Sequence, residues 1–130
     1  MNKENPVVWF EIYVDEMERA RNFYQTVFDT TLEEMKMPEG TGEGMRMFSF
    51  PMTMEKTNSA PGALVQMEGM KAGGGGTIVY FGSDDCAVEE SRVETAGGKV
   101  FQSKMSIGEY GFAALVVDCE GNMIGIHSMK

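Results

Sequence analysis

The stretch that decides the fold runs over residues 7–28, VVWFEIYVDEMERARNFYQTVF. Its first half alternates. Val8, Phe10, Ile12 and Val14 fall on one side and Trp9, Glu11 and Tyr13 on the other, which is the two-residue period of a strand. The period then changes: Met17, Ala20, Tyr24, Val27 and Phe28 recur at helical spacing, so one stripe of a helix can pack on a sheet. Between the two, Asp15 with Glu18 three residues on has the spacing of a capping box, the pattern that satisfies the free N–H groups of a helix start.

The pattern returns in residues 77–100, TIVYFGSDDCAVEESRVETAGGKV. A strand through Val79 and Phe81 leads into an acidic helix start, with Cys86, Val93 and Ala96 on one stripe. Gly97-Gly98 suits the helix stop, because glycine accepts the left-handed conformation there. Each half goes on with three more strands. GEGMRMFSF and GEYGFAALVVD both set Gly-Glu ahead of a strand, and ALVQME and NMIGIHS close the two halves. The expected organisation is one domain, residues 1–130, of α+β class. It has two βαβββ modules, approximately 5–70 and 76–130, joined by a glycine-rich connector at 71–76. The run Gly73 to Gly76 reads as flexible; no Gly-Lys-Ser/Thr and no helix follow it, so it is not a phosphate-binding loop.

Bulk properties exclude several function classes. The chain has 130 residues, 42% of them hydrophobic, enough for a real core. Its net charge of −9, without a basic cluster, opposes nucleic acid and anionic lipid as partners. No apolar run approaches the roughly 20 residues of a membrane helix, and the first residues lack the features of a secretory signal, so a cytoplasmic location is expected. Cys86 and Cys119 are too few for a disulfide framework and match no zinc spacing.

If the two sheets curl towards each other, the faces turned away from the helices line a cleft. Strand alternation then supplies its contents: Trp9, Glu11 and Tyr13 from the first strand, Ile78 and Tyr80 from the strand opening the second half, and Met123, Gly125 and His127 from the last, with Ile124 and Ile126 facing the core.

The duplicated layout resembles the vicinal oxygen chelate superfamily, which includes glyoxalase I, bleomycin-resistance proteins and extradiol dioxygenases. The residues carrying the resemblance are VDEMERARNFY, GGKV, KMSIGEYGF and DCEGNMIGIHS, and it spans nearly the whole chain. It implies a glyoxalase/bleomycin-resistance-like fold and a homodimer. Metal-dependent members take ligands from four strands. By motif those positions fall here on Trp9, Ile78, Gly125 and the stretch Ala63 to Val65, none of which carries a donor side chain. No metal and no other cofactor is therefore expected.

The leading expectation is a protein binding a small organic molecule in an aromatic and methionine-lined cleft, with a lyase- or isomerase-type reaction as its enzymatic form. One alternative is a non-catalytic protein that sequesters a drug or metabolite. The other is a metal-dependent, lactoylglutathione-lyase-like enzyme with a shifted site. Glu11 and His127 are the catalytic candidates: a carboxylate desolvated among aromatic rings can act as a base, and histidine changes charge near neutral pH. His127, the chain's only histidine, has three readings: a strand-end residue bonded to a neighbour, a ligand contact or acid/base partner of Glu11, or a ligand in a shifted metal site. Trp9, Tyr13, Ile78, Tyr80 and Met123 are expected to line the cleft. Lys104 and Glu109, flanking a turn, read either as solvated surface residues or as a rim, with Lys104 holding an anionic group of the ligand. The 13 methionines suit irregular core filling and adaptable surfaces. The loop PMTMEKTNSAPG at 51–62 reads as a lid.

Overall fold

A computed structural model describes residues 6–36, 44–53 and 59–130. Met37, Met54 and the centre of the loop read as a lid lie outside these residues. The elements are β1 (Val7–Tyr13), α1 (Met17–Phe28), β2 (Glu33–Met35), β3 (Met45–Ser49) and β4 (Gly62–Met67), followed by β5 (Thr77–Gly82), α2 (Cys86–Glu90), β6 (Lys99–Ser106), a 3-10 turn at Gly108–Tyr110, β7 (Phe112–Val117) and β8 (Met123–Ser128). Strand, helix and three strands thus occur twice, as the periodicity predicts. The chain forms two compact units, residues 9–77, and residues 78–130 with 6–8.

In the unit of residues 9–77 the strands run in the order β2-β3-β4-β1. β1 is parallel to β4, with Phe10 opposite Gly62 and Ile12 opposite Leu64, and β3 is antiparallel to both β4 and β2. The core between sheet and helix is Val14, Met17, Leu32, Phe48 and Leu64, with Ile12, Ala20, Tyr24 and Phe50 packed against it. Met17, Leu32 and Leu64 are almost wholly buried, each such side chain contributing about 1.5–3 kcal/mol of hydrophobic stabilisation. The helical stripe is shorter than its sequence suggests, because Val27 and Phe28 are 57% and 63% exposed.

The helix start also differs from the expected capping box. Glu16 occupies the N-cap and makes no side-chain cap bond. The Met17 N–H donates instead to Gln66 Oε1 at 2.6 Å, an acceptor 49 residues away on β4. Asp15 Oδ1 accepts the Ala72 N–H at 3.1 Å, and Glu18 pairs with Arg21 and Arg46. A half-buried acceptor from the sheet has outcompeted the local carboxylates for the first helical donor.

In the unit of residues 78–130 the order is β5-β8-β7-β6. β5 is parallel to β8, Tyr80 lying opposite Gly125 and Phe81 opposite Ile126; β7 is antiparallel to β8 and to an irregular β6. The core is Cys86, Ala114, Val116 and Ile126, supported by Val93, Val100, Phe112 and Ile124. α2 is capped by Asp85, whose Oδ1 accepts the Ala87 N–H at 3.0 Å. It is α-helical over five residues only and continues as turns to Gly97, whose φ of +99° is the left-handed conformation expected at the stop. Ser128 Oγ accepts the buried Cys86 N–H at 3.0 Å and donates to the Lys130 carbonyl at 2.9 Å, fixing α2 to β8.

Between Lys71 and Thr77 the glycines form a turn. The Gly76 N–H donates to the Gly73 carbonyl at 2.8 Å, and the Gly76 carbonyl accepts the Tyr13 N–H at 2.6 Å.

Candidate functional site

The face of β1 turned away from α1 carries the first group of candidates. Alternation puts Trp9, Glu11 and Tyr13 there, and one carboxylate joins them. The Trp9 indole N–H donates to Glu11 Oε2 at 3.1 Å, and the Tyr13 hydroxyl donates to Glu11 Oε1 at 2.8 Å. Glu11 and Tyr13 are buried, 8% and 6% exposed, while Trp9 is half-buried. Burial pushes the Tyr13 phenol well above its usual range, and the neighbouring Glu11 carboxylate, by its charge and by accepting the hydroxyl, pushes it further. Tyr13 therefore stays protonated and acts as a donor. The group is a carboxylate clamped between two ring donors, which fixes all three side chains relative to the strand.

The second unit holds the remaining candidates on its own strands. Ile78 is fully buried. The Tyr80 ring lies over Gly125 on the parallel strand β8, so close that a β-carbon at position 125 would overlap it. Met123 and His127 share the Gly125 face of β8. His127 Nε2 lies 2.6 Å from the Tyr110 carbonyl. A carbonyl only accepts, so this nitrogen carries the proton and the ring ties β8 to the 3-10 turn. The Lys104 ammonium donates to Asp85 Oδ1 at 2.8 Å and sits 4.7 Å from the centre of the Phe112 ring; its N–H donates to Glu90 Oε1 at 2.6 Å. That salt bridge and the Ala87 N–H hold the Asp85 carboxyl below its usual range. Glu109 is exposed in the 3-10 turn.

One feature escaped the sequence reading. A groove of about 460 Å³ opens at the carboxyl ends of β1 and β4, lined by Asp15, Arg46, Gln66, Glu68 and Lys71 around Met67 and Met70. Its residues come from three separated stretches with no common motif. The only sequence hint was the methionine cluster.

The four positions on which the resemblance places metal ligands do not fit a metal here. Trp9 donates its only polar hydrogen to Glu11. Ala63, Leu64, Val65 and Ile78 are fully buried hydrocarbon, and the space over Gly125 is filled by the Tyr80 ring. Among the described residues, no three His, Cys, Asp or Glu side chains gather closely enough to hold a metal ion. Among the same residues no helix is long and apolar enough to cross a membrane.

Residues 7–42 match the family described as bleomycin resistance protein-like N-terminal. No curated protein matches the chain. Among solved structures, methylmalonyl-CoA epimerase from Mycobacterium tuberculosis is 10% identical with a TM-score of 0.63, covering 96% of this chain and 88% of that one. A Streptomyces coelicolor methylmalonyl-CoA epimerase in complex with 2-nitronate-propionyl-CoA is 13% identical with a TM-score of 0.63, covering 95% and 96%. A hypothetical protein from Bacillus halodurans is 11% identical with a TM-score of 0.66, covering 95% and 94%. The amino-terminal segment is thus similar to that family, and the solved structures show that the chain shares their fold.

Proposed function

We propose that this protein binds a small organic molecule without a metal, and that the Trp9–Glu11–Tyr13 face of β1 is the polar centre of its site. The observation that carries the reading is the buried Glu11 carboxylate held by two aromatic donors. Burying a carboxylate is costly even when it is hydrogen-bonded, and clefts that handle ligands are where such groups concentrate. Trp9, half-buried, offers the ring surface at which a ligand would stack. The acidic chain favours cationic ligands.

A catalytic version assigns Glu11 a proton transfer beside a carbonyl, an isomerase- or lyase-type step. Its support is the same carboxylate, together with structural neighbours titled methylmalonyl-CoA epimerase. A homodimer and a cytoplasmic location belong to the proposal as well; light scattering should give twice the 14.4 kDa chain mass.

The experiment is a thermal-shift screen of metabolites, cationic antibiotics and acyl-CoA esters, run with and without a chelator. A ligand of the native state raises the melting temperature. At least one compound should do so equally in both conditions, and less in Glu11→Gln. No stabilising compound, or stabilisation abolished by the chelator, would overturn the reading. Deuterium exchange at carbon in any hit, absent in Glu11→Gln, would establish the catalytic version over simple sequestration.

A further inference from the structure

The groove at the ends of β1 and β4 is built differently from the β1 face and shares no residue with the proposed function. Its central group is Gln66. The Met17 N–H can only donate, so the Gln66 atom facing it at 2.6 Å is the carbonyl oxygen. The side chain is thereby held with its NH2 group directed away from the helix start, on the residue that lines the groove. Arg46 lies beside it in the same strand pairing, opposite Gln66. Its guanidinium is steadied by Glu18 at 3.0 Å and by the Phe48 ring, and it is a planar group with five N–H donors in all. Lys71 is exposed at the rim.

Carboxylates stand in the same wall. Asp15 gives Oδ1 to the Ala72 N–H, which fixes it in the wall, and Glu68 projects from the turn after β4. Met67 and Met70, bridged by the Met70 N–H to Met67 carbonyl bond at 3.1 Å, supply the apolar surface between. A purely anionic ligand would meet Asp15 and Glu68, and a purely cationic one Arg46 and Lys71. Only a molecule with both charges, spaced by a short apolar segment, finds partners throughout. The volume of about 460 Å³ lies in the range of small-molecule sites.

We infer that this groove binds a small zwitterion of about dipeptide size, its carboxylate toward Gln66, Arg46 and Lys71 and its ammonium toward Glu68 and Asp15.

The test uses the whole chain labelled with 13C at the methionine methyls and titrated with L-alanyl-L-alanine, its N-acetyl form and its methyl ester. Met67 and Met70 should shift and saturate with the dipeptide, and the two blocked forms should bind about tenfold more weakly or worse, the worth of one hydrogen bond to a charged group. Gln66→Glu is the decisive variant, because it keeps an oxygen for the Met17 N–H and replaces the donor NH2 by an acceptor. It should lose about tenfold in affinity while the Met17 amide stays protected from exchange. Lys71→Met, at an exposed position, should weaken binding too, and decides the matter if Gln66→Glu fails to fold. The absence of saturable shifts, equal binding of either blocked form, or wild-type affinity in the folded variants would overturn the inference.

Discussion

Replacing Tyr13 by phenylalanine removes one oxygen and nothing else, so it isolates the clamp on Glu11. The deleted hydroxyl donates to Glu11 Oε1 at 2.8 Å, and both residues are less than a tenth exposed. A hydrogen bond to a charged group under such cover is worth about 1.5–3 kcal/mol. At about 3–4 °C per kcal/mol for a chain of this length, the melting temperature should fall by about 5–12 °C. The alkaline limb gives a second, independent reading. The native phenol keeps its proton above the ordinary value of 10.0, whereas the unfolded chain loses it there. The stabilisation is thus fully present below pH 10 and declines as pH rises beyond it, by about 1.4 kcal/mol per pH unit. Denaturant melts monitored by circular dichroism between neutral and alkaline pH should show that decline in the wild type and a shallower one in Tyr13→Phe. Trp9, the single tryptophan, should keep its shifted indole N–H resonance in the variant, since its own bond is to the other carboxylate oxygen. A cost under about 0.5 kcal/mol, well short of a charged hydrogen bond, or an unchanged alkaline limb, would refute the clamp.

Ser128→Ala leaves the buried Cys86 N–H without its acceptor and should cost about 1–3 kcal/mol in denaturant melts. Gly98→Ala places a β-carbon against the Val117 carbonyl, a backbone atom that cannot swing aside, so it should cost about 1–3 kcal/mol and resist rescue by nearby side-chain trimming. The Asp118 carboxyl is held below its ordinary value of 3.8, first by the Asn122 backbone N–H and then by the Asn122 side chain and the Glu120 N–H. Its contribution is present above 3.8 and lost as pH falls through the lowered value. The stability gap between wild type and Asp118→Ala should therefore narrow on acidification, as read from melts across that range.

Periodicity carried the element order because both halves bury one strand face and one helix stripe in the same sequence. Ile12 and Val14, like Ile124 and Ile126, are apolar for that single reason. What sequence could not carry was competition between near and distant partners. Asp15 and Glu18 have the spacing of a capping box, yet Gln66 wins the Met17 N–H because sheet pairing delivers it to the helix start already oriented. α2 was read as running to Gly97, but only Cys86–Glu90 is α-helical; Ser, Val and Thr after it are weak helix formers. The β1 alternation named all three members of the Glu11 group, since residues two apart share a face. The groove stayed hidden because Asp15, Arg46 and Gln66 meet only through strand register.

The two units use one packing device on opposite faces. In each, an aromatic residue on the first strand lies over a glycine on the parallel fourth strand: Phe10 over Gly62, and Tyr80 over Gly125. A ring covering a strand glycine restores the surface that the missing side chain leaves open. Phe10 has the parity of Ile12 and packs with Phe50, so in the first unit the device lies on the helix side. Tyr80 is out of phase with Phe81, which pairs with the core residue Ile126, so in the second unit it lies on the side away from the helix. That difference follows from a one-residue change in where the aromatic stands, and on a strand one residue is one face. It leaves Trp9, Glu11 and Tyr13 of the first unit together on the face turned away from the helix, while the second covers the corresponding surface with a ring. On the β1 face of the first unit, Glu11 is the carboxylate that joins the two ring donors, and the proposed site is built on it.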